Sequence, residues 1–412
     1  QIRSSAASDV YKRQDNIINN PNPAWTKTPA DLKDEDYKQF YRELYPYQFE
    51  EPLFHIHLNV DYPFNLTGIL YFPKISNDLN LQKDRIQLYQ NQVFVTDNVE
   101  GIVPEFLGLL KGVIDSPDIP LNVSRSYLQS DASVKKITNY ITRKVADKLN
   151  SIFKNERENL ESKWNDIKVV IEYGMLTEDK FYDKAESFNL YPTVDDKYFT
   201  YEELEKKIKK LQTDKDGNLI ILYAQNKDEQ YTFIESAKEK GYEVLLLDSP
   251  IIPHLMQKLE SKKEKIKFSR VDSDTLENLI KKDEEVISKL TDEEKEKLKP
   301  MIETAVENEK YTVQLEALDS NSMPFMLAQP EFMRRMKEMQ QTGGGAMGNL
   351  PDMYSLIVNT NHELVDKILN TRTEKKRSSL IKQSIDLAKL SQNNLTGKDL
   401  TEFINRSIDL IK

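Results

Sequence analysis

Two polar side chains suited to phosphate chemistry stand four residues apart in a segment that reads as a loop. Arg125 and Gln129 follow the run DSPDIPLNV, whose two prolines interrupt regular structure. A guanidinium is always charged and its fork of donors fits phosphate oxygens, so Arg125 could stabilise charge that develops during phosphoryl transfer. Gln129 could orient the attacking water or support the arginine. On spacing alone, a surface arginine or a local hydrogen-bond donor explains the same residues.

A second candidate site is rich in methionine. Seven of the ten methionines lie between Met323 and Met353. Met333, Met336 and Met339 recur every three residues along one side of a predicted helix that ends before a triple glycine. Thioether side chains are flexible and polarizable, so such a row could adapt to many apolar partners. The alternative is that these methionines fill a core.

Other kinds of chemistry find little support. The chain has no cysteine, which excludes disulfides, thiolate nucleophiles and cysteine-ligated metals. His55 and His57 share a strand face, but no third ligand stands near them, and His254 and His362 lie far away in the sequence. We therefore predict no metal site and a structural or surface role for all four histidines. No Ser-His-Asp arrangement or carboxylate pair stands out.

Composition narrows the classes of function further. The 412 residues carry a formal net charge of −10, which argues against non-specific binding to nucleic acid because phosphates would be repelled. No apolar run approaches the roughly 18 residues of a membrane span, and no secretory signal peptide is recognisable. We expect a cytoplasmic protein without nucleic-acid or membrane partners. The first 15 residues begin with Gln1 and lack periodicity, so we predict that segment 1–15 is non-native.

The candidate phosphate-binding loop, residues 115–129, lies in a region that mixes strands and helices. Residues 53–60 and 66–72 alternate in polarity around a turn and are predicted to pair as strands. After the loop, apolar residues recur every three or four positions between 134 and 153, which predicts a long helix. Ser130 or Asp131 can cap its start.

A smaller α/β unit follows. Its predicted elements are a strand at 218–224, a helix at 229–240, a strand at 242–248 and a helix at 252–259. This βαβα order predicts a parallel sheet. The unit contains neither G-x-G-x-x-G nor G-x-x-x-x-G-K-[ST], so we do not predict a nucleotide site there.

The composition shifts near residue 270, where we place a domain boundary. Residues 272–299 are rich in Lys, Glu and Asp, with apolar residues at helical spacing between 276 and 290. Thr291 and Glu294 predict a capping box for a further helix. Pro300 should kink or end that helix unless its position tolerates it.

The chain closes with two predicted amphipathic helices, one at 372–391 and one after Thr396. Two helices joined by a short loop bury their apolar stripes poorly alone, so pairing with a second copy as a four-helix bundle is one explanation. Packing onto the same domain is the other. The candidate dimerisation residues are Leu380, Ile381, Ile385, Leu400, Phe403, Ile404, Ile408 and Ile411.

Several separate stretches are similar to one known family. They are IQLYQNQVFVTDNVEGIVPEFLGLLKGVIDSPDIPLNVSRSYLQ, PAWTKTPADLKDEDYKQFYREL, GYEVLLLDSPII, QPEFMRRMKEM and NTNHELV. From about residue 16 to 412 the chain resembles the heat-shock protein 90 chaperones, in particular the bacterial HtpG type. The family usually has an acidic residue after the loop arginine, whereas Ser126 follows it here. That departure is tolerable, because the acidic side chain is not the one assigned to phosphate.

The resemblance implies an ATP-dependent chaperone dimer that binds unfolded or partly folded client proteins. In the family a separate N-terminal domain binds ATP and Mg²⁺, and we expect that domain to be absent here. The resemblance implies that Arg125 and Gln129 complete the ATPase site from a middle-domain loop. This chain alone is therefore expected to bind no cofactor and to be inactive as an ATPase.

The resemblance also assigns contact with clients and between protomers. It implies client-binding roles for Trp25, Met333, Met336 and Met339, and a homodimer held by the C-terminal helices. For Trp25 the alternative is an anchor that packs the first segment of its domain, and the two roles are compatible.

The expected fold is α/β and α+β and multi-domain. Residues 16–269 are predicted to form a middle domain of α/β layers with the smaller βαβα unit. Residues 270–412 are predicted to form a mixed α+β C-terminal dimerisation domain that ends in two amphipathic helices. Two other classes remain open: a natural ATP-independent holdase or dimeric interaction scaffold, and an independent enzyme built on the α/β unit. The missing phosphate loop counts against the enzyme.

Overall fold

The computed structural model describes residues 22–74, 86–99, 101–120, 131–283, 286–306, 310–343 and 353–411. The chain divides into two compact units, the first holding the described residues up to Lys148 and the second those from Leu149 onward. Both contain helices and sheets, so the predicted mixed fold class is confirmed. The boundary predicted near residue 270 lies inside the second unit and stays a prediction. Segment 1–15, Arg125 and Gln129 lie outside the described residues.

The first unit is built on a mixed sheet with strand order β1-β2-β5-β3-β4. The predicted hairpin is confirmed, because β1 and β2 pair antiparallel in register from Phe54 opposite Phe72 to Val60 opposite Leu66. The strands are β1 (Phe54–Val60), β2 (Leu66–Phe72), β3 (Gln87–Gln90), β4 (Val93–Thr96) and β5 (Lys111–Asp115).

Helices cover this sheet. The described part of the first unit contains α1 (Asp34–Leu44), short 3₁₀ turns at Ala24–Thr26, Pro29–Asp31 and Glu105–Leu109, and the start of α2 (Ala132–Asn155). Asp131 is the predicted cap of α2, since its Oδ1 accepts hydrogen bonds from the backbone amides of Ser133 and Val134.

Strand β5 was not predicted, although every one of its residues is buried. It pairs with β2 so closely that a Cβ atom on Gly112 would lie 2.0 Å from the carbonyl oxygen of Ile69, and Gly112 adopts φ +129. Only glycine fits this position. The strand ends at Asp115, where the candidate phosphate-binding loop begins.

The second unit opens with helices around a three-stranded parallel sheet of order β10-β8-β9. The strands are β8 (Leu219–Ala224), β9 (Val244–Leu246) and β10 (Ile266–Arg270). The predicted βαβα unit is confirmed, and β10 extends it by one strand. Around it lie α3 (Arg157–Ser162), α4 (Trp164–Thr177), α5 (Asp179–Ala185), the short pair β6 (Tyr191–Pro192) and β7 (Tyr198–Phe199), α6 (Tyr201–Gln212), α7 (Tyr231–Glu239) and α8 (Ile252–Lys262).

The rest of the second unit holds a second small sheet of order β11-β13-β12, in which β11 and β13 are parallel and β12 is antiparallel. The elements are α9 (Leu276–Leu279), α10 (Asp292–Ala305), β11 (Tyr311–Glu316), β12 (Phe325–Ala328), α11 (Glu331–Gly343), β13 (Tyr354–Asn359), α12 (Glu363–Asn370), α13 (Glu374–Ser391) and α14 (Gly397–Ile411).

The charged stretch contains two separate helices, α9 and α10. Among the described residues between 276 and 290, helical spacing produces the four residues of α9, and Ile280 and Leu290 pack into different hydrophobic clusters. The Thr291–Glu294 capping box is present. Helix α10 continues past Pro300, so the proline does not end it, and Leu298 and Ile302 on either side of the proline are fully buried.

Two buried asparagines join the loops at the carboxyl end of β13. The side chain of Asn359 accepts from the amides of Leu318 (3.2 Å) and Asn361 (3.0 Å) and donates to the carbonyl of Asp319 (2.7 Å). The side chain of Asn361 donates to the carbonyls of Ile287 and Leu318. These amides satisfy backbone groups that burial would otherwise leave unpaired.

We predict that Asn359→Ala destabilises the second unit by about 3 kcal/mol, because it leaves the buried amides of Leu318 and Asn361 and the half-buried carbonyl of Asp319 without this partner. Urea unfolding followed by circular dichroism measures the change. Asn394→Ala, at an exposed position, is the matched control and should change stability by less than about 0.5 kcal/mol. Equal effects of the two substitutions would show that the Asn359 side chain does not support the fold.

Candidate functional site

Trp25 is an anchor of the first unit. Only 8% of it is exposed, and its ring packs against Phe40 and Tyr89 at centroid distances of 5.5 and 5.1 Å. Its indole nitrogen donates to Oδ2 of Asp115 at 3.2 Å. This contact ties the opening segment to the end of β5, where the candidate phosphate-binding loop begins. Direct contact of Trp25 with a client stays a prediction and would require this side chain to leave its packing.

The histidines of the first unit have structural roles. His55 stacks on the ring of Tyr37 at 3.8 Å, and Nδ1 of His57 lies 2.9 Å from the Tyr37 hydroxyl. Burial, helped by the charge of Lys148, lowers the pKa of His55 to about 4. Within the described parts of the chain, no group of three or more His, Asp or Glu side chains is arranged to hold a metal ion.

The methionine-bearing helix α11 lies on the edge of the parallel sheet. Glu331 begins the helix and accepts hydrogen bonds from the Tyr223 hydroxyl (2.7 Å) and the Arg270 amide (3.1 Å). Tyr223 stands near the carboxyl end of β8 and Arg270 is the last residue of β10. Two strand ends are therefore joined through one carboxylate on α11.

Two arginines of α11 complete this cluster. Arg334 is 3% exposed and donates to the Tyr223 hydroxyl (2.6 Å) and to Oε1 of Glu338 (2.7 Å). Arg335 donates to Glu331 (2.6 Å) and reaches Glu260 on α8 (2.8 Å). Since both arginines also pair with Glu331, one carboxylate is shared between two guanidinium groups. We call Glu331, Arg334, Arg335, Tyr223 and Glu260 the α11 ion cluster.

The sequence reading missed the α11 ion cluster. Glu331 stands three and four residues before the two arginines, a spacing that supports ion pairs on a helix surface. Such pairs are usually solvated, and nothing in QPEFMRRMKEM marks them as buried. Only the approach of β8, β10 and α8 takes them out of water.

The apolar residues of α11 lie outside the core. Phe332 is 70% exposed, and the predicted client-binding residues Met333, Met336 and Met339 are each partly buried. The row is thus neither a core, which was the alternative, nor fully solvent-exposed. It forms a half-buried apolar surface on a helix whose buried side chain between residues 331 and 340 is that of Arg334.

The predicted dimerisation residues differ in how deeply they are buried. Ile381 and Ile385 are 2% and 4% exposed and belong to the core of the second unit, so the chain's own fold already uses them. Phe403 is also buried, and Leu380 and Leu400 are partly buried. Ile404 and Ile408 are each 47% exposed. The side chain of Ile411 lies outside what the structure describes.

The last two helices hold each other through polar contacts. Arg406 of α14 forms an ion pair with Asp386 of α13, and Gln383 donates to the Ser407 hydroxyl at 2.8 Å. Beside these contacts, Leu387 and Leu390 of α13 expose 47% and 40% of their surface. The pair of helices therefore keeps apolar side chains on its outside.

A family model described as Hsp90 protein matches residues 5–406. The chain belongs to the Hsp90 family. The chaperone protein HtpG of Porphyromonas gingivalis is 54% identical over 382 residues, which cover 92% of this chain and 56% of that protein. The chaperone protein htpG of Bacteroides fragilis is 48% identical over 471 residues, with 98% and 69% covered. The predicted resemblance to the bacterial HtpG type is confirmed.

The chain matches only part of the length of the two relatives. The chain spans little more than half the length of the Porphyromonas relative. The matched range begins at residue 5 and so includes part of segment 1–15, whose origin stays a prediction. None of the described helices combines the length and apolar character needed to cross a bilayer.

We predict that Glu331 stabilises the docking of α11 by about 2–3 kcal/mol at neutral pH and that this contribution is lost in acid. Burial alone would raise the pKa of Glu331, but the charges of Arg334 and Arg335 outweigh it and lower the pKa to about 2. Because the folded pKa lies below the unfolded one, the contribution is complete above pH ~4.3 and falls as the pH drops toward 2.

The measurement is the difference in unfolding free energy between the native chain and Glu331→Gln at a series of pH values. The difference should stay constant from about pH 8 to pH 5 and shrink below about pH 4.5. A difference that varies between pH 5 and 8, or that persists unchanged in acid, contradicts the assignment.

Proposed function

We propose that this chain provides the client-binding and dimer-forming part of an ATP-dependent chaperone of the bacterial HtpG type. The observation that carries the proposal is the 54% identity to a protein named chaperone protein HtpG across 92% of this chain. Helix α11 supports it, because flexible thioethers on a half-buried helix suit apolar segments of varied sequence. A cytoplasmic location is part of the same proposal.

Two domains contribute to the nucleotide chemistry. A separate domain binds ATP and Mg²⁺, and Arg125 reaches the γ-phosphate from its loop while Gln129 positions water or the arginine. The hydrogen bond from Trp25 to Asp115 supports this assignment, because it fixes the strand from which the loop departs. A fixed strand end gives the segment that follows it a defined starting point.

Dimerisation uses the outside of the last two helices. Among the described side chains of α13 and α14, the large apolar ones that are exposed are Ile404, Ile408, Leu387 and Leu390. Burying them against a second copy would remove an apolar surface from water while leaving Ile381 and Ile385 in the core of each protomer. The interface proposed here is therefore narrower than the sequence stripes suggest.

Replacing Met333, Met336 and Met339 together by Ser should lower suppression of citrate synthase aggregation at elevated temperature by about half or more, because the apolar row is lost. Light scattering measures it. Met353→Ser, at an exposed methionine, is the control. Unchanged suppression in the triple variant would remove α11 as the client surface. Full suppression by the native chain without nucleotide would favour the ATP-independent holdase.

Replacing Ile404 and Ile408 together by Ser should weaken dimerisation by about tenfold to a hundredfold, as expected for central apolar contacts. Light scattering after size-exclusion chromatography should then report the chain mass of 48.0 kDa at concentrations where the native chain shows twice that mass. Ile287→Ser, at an 86% exposed isoleucine between α9 and α10, is the control. A dimeric double variant would place the interface elsewhere.

Arg125→Ala should reduce kcat for ATP hydrolysis at least about tenfold when the chain is joined to the N-terminal ATP-binding domain of an HtpG-type chaperone, because transition-state charge loses a donor. Steady-state phosphate release measures it, with KM for ATP expected to change little. Arg143→Ala, at an exposed arginine of α2, is the control. Equal rates for the two variants would exclude Arg125 from the reaction.

A further inference from the structure

Helix α14 is attached to the rest of the chain by little apolar packing. Among its described side chains, at residues 397–409, Phe403 is the one that is buried. The helix lies chiefly against α13, its neighbour in the sequence. Apolar burial is non-directional, so one buried ring holds a helix on a surface without fixing how far the helix is turned about its own axis. Other contacts must therefore fix the rotation of α14.

Polar contacts between α13 and α14 supply this restraint. Arg406 of α14 forms an ion pair with Asp386 of α13, and Asp386 is only 5% exposed. Beside this pair, Gln383 donates to the Ser407 hydroxyl at 2.8 Å. A hydrogen-bonded ion pair is directional, and breaking one that is mostly out of water leaves a charge without a partner. The Asp386–Arg406 pair therefore opposes rotation of α14 more strongly than the packing of Phe403 does.

The rotation of α14 decides which of its side chains face outward. Ile404 and Ile408 stand two positions before and two positions after Arg406, so on a helix they point to nearly the opposite side. Both are about half exposed, as expected when Arg406 points toward α13. A turn of α14 by one position, about 100°, would bring Asn405 and Asp409 to the places of the two isoleucines. The outward surface would then be polar rather than apolar.

We propose that Asp386 and Arg406 are positioning residues for self-association, because their ion pair fixes the rotation at which α14 presents Ile404 and Ile408 to a second copy of the chain. The two charged residues act through the isoleucines, which make the apolar contact. That the partner is a second copy rests on the proposed function. The fixed rotation rests on the contacts between α13 and α14.

Sedimentation equilibrium of the 412-residue chain tests the effect on self-association. Arg406→Gln should raise the dissociation constant of the dimer about tenfold or more, because Asp386 loses its partner and α14 can turn. Lys382→Gln is the matched control, since it removes an exposed ion pair between the same two helices, Lys382 to Glu402 at 3.5 Å. It should change the constant less than about threefold. An unchanged dissociation constant in Arg406→Gln overturns the proposal.

A covalent lock distinguishes positioning from a general loss of structure. The chain has no cysteine, so Gln383→Cys with Ser407→Cys introduces a single pair of thiols where two side chains meet across α13 and α14. Oxidised glutathione should join the two thiols within one chain, because their side chains are neighbours at the native rotation. A pair that does not join while Arg406 is retained contradicts the rotation described above.

The same lock should rescue the variant without the ion pair. In Arg406→Gln the two thiols should join about threefold more slowly or slower still, since α14 is no longer held at the native rotation. Once they are joined, the dissociation constant of the dimer should return to within about threefold of the locked chain that retains Arg406. A locked Arg406→Gln chain that still dimerises weakly shows that Arg406 does not act by positioning α14.

A double substitution keeps the proposal testable if Arg406→Gln does not fold. Asp386→Ala with Arg406→Ala leaves no charge unpaired between the helices, so this variant should fold. It lacks the ion pair, and both slower joining of the thiols and weaker dimerisation are expected. Native behaviour in both measurements would overturn the proposal. A native chain that stays monomeric defeats the dimer of the proposed function, while the rate of thiol joining still decides whether the ion pair fixes α14.

Discussion

A buried charge must be paired, and this requirement organises the second unit. Arg334 is almost completely enclosed, and its guanidinium is stable there only because Glu331, Glu338 and Tyr223 accept from it. Those acceptors fix where α11 lies, and Glu331 in turn joins the ends of β8 and β10. These polar contacts therefore help to fix the helix that carries the methionine row.

The same rule applied to neutral groups explains the sheet beyond it. Asn359 is fully buried and Asn361 nearly so, and their amides satisfy backbone groups of three different loops. Apolar packing around Leu356 and Val358 gives the sheet its core, while the asparagines give it one defined set of loop positions. In both places burial supplies stability and polar pairing supplies geometry.

Some apolar side chains on the surface are not buried by the chain's own fold. Helices α13 and α14 bury Ile381, Ile385 and Phe403 but leave Ile404 and Ile408 about half exposed. Helix α11 buries charge and leaves Phe332 outside. Exposed apolar side chains beside a well-formed core are typical of surfaces that meet a partner, which agrees with a chain of the Hsp90 family.

The sequence by itself determined the family, the mixed fold class and most elements, because periodicity and capping residues act locally. The β1–β2 hairpin, the helix capped by Asp131, the parallel order of β8 and β9 and the Thr291–Glu294 box were all predictable from neighbouring residues. Strand β5 was not predicted, because a short, fully buried strand with an internal glycine shows no alternation of polar and apolar residues.

Only the tertiary structure decided which side of each helix is buried. Ile381 and Ile404 look equivalent as members of apolar stripes, yet the first packs on the chain's own sheet and the second faces outward. Glu331 and Arg334 read as a solvated pair until two strand ends remove the water around them. Helical spacing states which residues share a face, whereas burial depends on segments far away in the sequence, and those contacts leave no local pattern.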